Sequence, residues 1–129
     1  MAKIPCEYSG GVLEQTSIDS GQVMTTAGIW KSTSAVIQIP SDGMYLLIGS
    51  GCLASSSNDE KLIAIGTTDS NHSTFTPIKA NVDYTLRAQS SITFIRECTA
   101  GEYISVGGRS ASAANINYSN AVIQAYKLL

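Results

Sequence analysis

Along most of the chain, short apolar runs or apolar-polar alternations are separated by turn-forming residues. Ala35-Val36-Ile37-Gln38-Ile39 is rich in β-branched side chains, Pro40-Ser41-Asp42-Gly43 supplies turn chemistry, and Met44-Tyr45-Leu46-Leu47-Ile48 resumes an apolar run. This predicts two strands around a tight turn, with Gly43 as the residue able to take a positive φ. Gly49-Ser50-Gly51 interrupts the second run at a point suited to a bulge or a close backbone approach, and Ser55 to Glu60 reads as a polar loop. Leu62-Ile63-Ala64-Ile65 makes a further strand. Val82, Tyr84 and Leu86 alternate with Asp83, Thr85 and Arg87, the period of a strand with one wet face. Residues 92–95 and 102–106 form two strands around a turn at 98–101. In the last strand, 121–128, Val122, Tyr126 and Leu128 share one face and Ile123 and Ala125 the other. Residues 12–18 form a short strand between the breakers Gly10-Gly11 and Ser20-Gly21. Residues 67–78, which hold Pro77, read as the most loop-like interior segment, and 107–117 is small and polar.

No segment of ten or more residues keeps a helical spacing, so about eight to ten short antiparallel strands are expected, an all-β sandwich or jelly roll. Residues 1–21 are read as an N-terminal arm or first strand, and residues 22–129 as the jelly-roll domain. The 129 residues suit a single domain; 43% are hydrophobic, 14% charged and about a fifth Ser or Thr, a composition that excludes disorder and coiled coil.

Charge and cysteine narrow the partners. Eight Lys and Arg stand against ten Asp and Glu, for a net charge of -2, and no basic run could follow a phosphate backbone, so no nucleic-acid partner is expected. No apolar run approaches the roughly 18 residues of a membrane span, and the first residues hold no signal-like apolar stretch, so synthesis in the cytoplasm and no membrane partner are expected. Cys6, Cys52 and Cys98 are odd in number and form no CxxC pair, which suggests reduced thiols.

Ile37-Gln38-Ile39-Pro40-Ser41-Asp42-Gly43-Met44-Tyr45 resembles the "F-x-(I/V)-P-x-x-G-x-Y" strand pair of the C1q/TNF-like jelly rolls. Residues 90–95, followed by Thr99-Ala100-Gly101-Glu102-Tyr103-Ile104-Ser105-Val106, are similar to the family's strand, turn and "L-x-x-G-D-x-(I/V)-x-(L/V)" strand, and 121–129 to its closing strand. The resemblance spans about residues 12–129, with Ile37 replacing the usual aromatic and Glu102 the usual Asp. It implies a C1q/TNF-like jelly roll associating as a tight homotrimer about an apolar, aromatic axis. Tyr103, Tyr126 and Leu128 are the candidate interface residues. It also carries an analogy to phage and prophage structural proteins, which leads to an expected virion-associated role as head fibre, decoration protein or tail appendage.

Chemistry is sparse. His72 is the sole histidine, which removes multi-histidine metal sites, and it sits among Ser, Thr and Asn as a candidate surface contact. Gly107-Gly108-Arg109-Ser110 lacks the ending of a phosphate loop and reads as a flexible turn. Asp59, Glu60 and Asp69 lack the spacing of a calcium loop. Trp30 beside Lys31 is a candidate ligand contact that could stack on a sugar ring. The expectation is therefore a non-enzymatic structural or adhesion protein with no cofactor and no metal, contacting virion proteins or a host-surface glycan through its loops. The alternative is a carbohydrate-binding module built on Trp30.

Overall fold

The computed structural model describes residues 14–19, 22–24, 28–55, 58–111 and 116–128. Among them are nine strands and no helix: β1 (Glu14–Asp19), β2 (Gln22–Met24), β3 (Lys31–Gln38), β4 (Gly43–Ala54), β5 (Glu60–Thr68), β6 (Phe75–Tyr84), β7 (Arg87–Cys98), β8 (Tyr103–Ser110) and β9 (Ile116–Lys127). The first sheet runs β1-β9-β4-β7, with β2 also on β9, and the second runs β3-β8-β5-β6. Every pairing is antiparallel. This is the predicted jelly-roll sandwich.

Alternation along each strand builds the core. Tyr45 and Leu47 of β4, Ile63 and Ile65 of β5, Ile104 and Val106 of β8, and Ala121, Ile123 and Ala125 of β9 are all at most 1% exposed. They fill the space between the sheets with side chains suited to a pleated surface. Tyr118 bridges the sheets: its ring occupies the space a Cβ would need at Gly51 of β4 and at Gly108 of β8, and its hydroxyl donates to the Gly107 carbonyl at 3.3 Å. On the opposite face of β8, a Cβ at Gly107 would meet the Phe75 ring at 2.7 Å. These contacts overturn the reading of 107–110 as a flexible turn. Glycine there admits aromatic rings on both faces of a central strand, and β8 continues through Ser110.

The close approach expected at Gly49-Ser50-Gly51 is present. A Cβ on Gly49 would lie 2.5 Å from Ile65, and the β4–β9 register shifts between Ser50 and Cys52. Opposite that shift, Asn120 takes φ 54°, a left-handed conformation that Asn tolerates better than most residues. Gly43 differs from expectation: its φ of 159° is extended backbone open to any residue. The turn before it is held by Asp42, whose Oδ1 accepts the Ala100 N–H at 2.7 Å.

The loop expected at 67–78 shrinks to 69–74, because β5 reaches Thr68 and β6 begins at Phe75. Pro77 is accommodated because β6 is an edge strand and its register with β5 shifts at that point. The wet and dry faces expected for 82–87 do not form. Val82 is 53% and Tyr84 67% exposed, and Leu86 lies beyond the strand, because an edge strand covered on neither side has no dry face.

Candidate interaction surface

The sandwich has two outer faces, and they differ in chemistry. On the first sheet, residues Met44, Leu46 and Ile48 of β4 point away from the core, since Tyr45 and Leu47 point into it. Register then sets their neighbours. Leu46 lies between Tyr126 of β9 and Ile95 of β7, Ile48 between Gln124 and Thr93, and Ser50 between Val122 and Ser91. The Leu128 N–H donates to the Met44 carbonyl at 2.7 Å, which brings Leu128 to the same end. The face thus grades from an apolar half around Tyr126, Leu46 and Ile95 to a polar half around Ser50, Ser91 and Asn120. Ile95, midway along the edge strand β7, is 57% exposed, and Tyr126 and Leu128 are half-buried. An apolar row that reaches solvent across three strands, out to the sheet edge, has the chemistry of a contact surface.

The structure brings Tyr126 and Leu128 together on this face and places Tyr103 elsewhere. Tyr103 opens β8 in the second sheet, between Gln38 and Thr68. Trp30 lies over the second sheet against Phe75, with ring centroids 5.7 Å apart and planes tilted by 35°. Trp30 is half-buried and packs on an aromatic neighbour. His72 is exposed in the β5–β6 loop with φ 57°. Asp69 organises that loop: its carbonyl accepts the His72 N–H at 3.1 Å, and its carboxylate accepts the Ser73 N–H at 2.7 Å and the Ser73 hydroxyl. The Ser73 hydroxyl bond, aided by the Ser73 amide, holds the Asp69 carboxyl below its usual range.

Residues that the sequence reading passed over make the other polar arrangements. Lys61 is fully buried, with Nζ 2.7 Å from Asp59 Oδ1 and donating to the Thr85 carbonyl at 2.6 Å. Its place beside Ile63 and Ile65 on an alternating strand was the available signal. Arg96 meets Glu102 through two bonds of 3.1 Å. Glu102 Oε1 also accepts the Thr99 N–H at 2.7 Å, so the longer Glu side chain performs the turn role usually served by Asp. Cys52 and Cys98 are buried free thiols; at Cys98 burial raises the thiol pKa, which disfavours the reactive thiolate. Among the described residues, no three His, Cys, Asp or Glu side chains cluster as metal ligands.

Comparison with known proteins places the fold. No family model matches the chain, and no curated protein matches it. Solved structures do: the Eiger TNF of S. frugiperda is 13% identical, with a TM-score of 0.55 over 95% of this chain and 88% of that one. The globular domain of zebrafish complement 1qA is 6% identical, with a TM-score of 0.59 over 90% and 96%. Murine APRIL is 12% identical, with a TM-score of 0.57 over 88% and 100%. The fold is therefore a C1q/TNF-like jelly roll.

Proposed function

We propose that this chain is a non-enzymatic association domain that works as a homotrimer in a structural or adhesive role. The carrying observation is the row Tyr126, Leu46 and Ile95 across the outer face of the first sheet. Its apolar half is continuous with Met44, Ile48 and Leu128, and subunit contact would remove it from water at about 25 cal/mol per Å². The fold shared with TNF and complement 1qA domains supports threefold closure. On this reading the second sheet and the His72 loop face outward, available to partners.

Light scattering tests the assembly. The wild-type chain is expected at three subunit masses at micromolar concentration, and Tyr126→Asp, which puts a charge into each of three meeting faces, is expected to give monomer. Tyr103→Asp, on the other sheet, is expected to leave the trimer intact. A monomeric wild type overturns the proposal. Membership of a phage or prophage particle rests on the sequence analogy alone; detection of the chain in purified particles, beside a gene neighbour encoding a capsid or tail protein, is its test.

A further inference from the structure

Most of strand β6 carries its apolar residues on the side that faces away from the core. Its first residues pair with β5 in one register, with Thr68 opposite Phe75, Thr67 opposite Thr76 and Gly66 opposite Pro77. One extra residue, Ile78, then enters β6, and from there Ile65 faces Lys79, Ile63 faces Asn81 and Lys61 faces Asp83. Directly opposed residues share a face, and Ile63 and Ile65 point into the core. The strand therefore turns Lys79, Asn81 and Asp83 toward the sandwich and Ala80, Val82 and Tyr84 away from it. Beside the inward positions opens a cleft of about 440 Å³, with Lys61, Ile63, Asn81, Asp83 and Ala88 in its lining.

The same residues have a second solution. If the register of Phe75 to Pro77 ran on without the extra residue, Ile78 would face Ile65, Ala80 would face Ile63 and Val82 would face Lys61. That register turns the apolar side of β6 inward and sends Ala80 and Val82 into the cleft, as hydrophobic patterning ordinarily dictates. The bulged register therefore needs a specific hold. Phe75 does not supply it, because Phe75 precedes the bulge and keeps its place in both registers. The bond from Asn81 Nδ2 to Ser90 Oγ, 2.8 Å, belongs to the bulged register but is exposed, and water replaces it at little cost. Lys61 is the only buried charged side chain among the described residues. Its Nζ lies 2.7 Å from Asp59 Oδ1 and donates at 2.6 Å to the carbonyl of Thr85, the residue that follows β6. This contact fixes how far β6 runs before its turn. A one-residue shift would carry the Thr85 carbonyl away and leave a buried ammonium one acceptor short. We propose that β6 is a two-register strand and that Lys61 is the latch that selects the bulged register. Buried ion pairs add little net stability over apolar replacements, and fixing register is their best-attested use.

Cross-strand nuclear Overhauser contacts in the full chain test this directly. The wild type is expected to show Ile65 against Lys79 and Ile63 against Asn81. Lys61→Met combined with Asp59→Asn removes the ion pair without leaving either charge alone. This double variant is expected to show, in most molecules, Ile65 against Ile78 and Ile63 against Ala80 instead, with a urea midpoint equal to or above that of the wild type. Adding Ile78→Ser and Val82→Ser removes the apolar gain of the shifted register and should restore the bulged contacts. The proposal is overturned if the double variant keeps the wild-type contacts in most molecules. It is also overturned if that variant unfolds or melts at clearly lower urea, which would make the pair a stability element, or if the serine substitutions leave the register shifted.

Discussion

Glycine has opposite meanings at different positions in this chain. At Gly101, φ of 92° makes it a turn residue, whereas at Gly51 and Gly108 the backbone is ordinary strand and the missing Cβ leaves room for the Tyr118 ring. Composition alone does not separate these uses, because the atoms that exclude a side chain belong to residues far along the sequence. Position 108 was therefore legible as glycine but not as core. Gly108→Val is expected to lower the unfolding free energy by about 1 to 3 kcal/mol, the range of overpacked cores. Urea melts of this variant, of Tyr118→Leu and of the double variant check the cause. The double should lose less than the sum of the singles, whereas strict additivity would show that the ring is not the obstacle.

At the scale of elements, most strands were legible, because inward and outward positions alternate and turns carry their own residue types. The exceptions are local. Pro77 made the start of β6 look like loop, and only the sheet order shows that an edge strand can hold it. The turn between β7 and β8 was legible from its Gly-acid pair, although its partner Arg96 was not. Glu102 sits below the usual carboxylate range, first because of its bond to Arg96 and also because of the Thr99 amide. A depressed carboxylate stabilises the fold at pH above its unfolded-state value, and that contribution is lost as pH falls through the folded value. Glu102→Gln should therefore be less stable than wild type at neutral pH, with the gap closing on acidification. Thermal melts from about pH 7 down to pH 3 measure it. A gap that stays constant would show that the charge of Glu102 contributes nothing.

For the whole molecule, the last strand was ambiguous in sequence because both its faces are apolar, and the structure explains why. Ala121, Ile123 and Ala125 enter the core while Val122 and Tyr126 join the outer row. A sequence pattern can show two apolar faces, but the sheet order is needed to show which one is left outside. The proposed trimer is joined by that apolar row, so its association should tolerate salt. Sedimentation velocity in about 0.1 M and about 1 M sodium chloride should give equal trimer fractions, since screening acts on charge and leaves apolar burial. Dissociation at the higher salt would point to an interface held by ion pairs.

The position of β9 has a consequence for how the molecule is made. It follows every other described strand in sequence, yet it is inserted between β1 and β4, so neither of those strands has that neighbour until residues 116–127 have been synthesised. During synthesis β4 can pair with β7, and the second sheet can assemble from β3, β8, β5 and β6, while β1 and one whole edge of β4 wait with open backbone groups. Such an edge is a template for pairing with another nascent chain. The first sheet is therefore completed only by β9, and the interval before β9 emerges is the period in which aggregation competes with the native sheet.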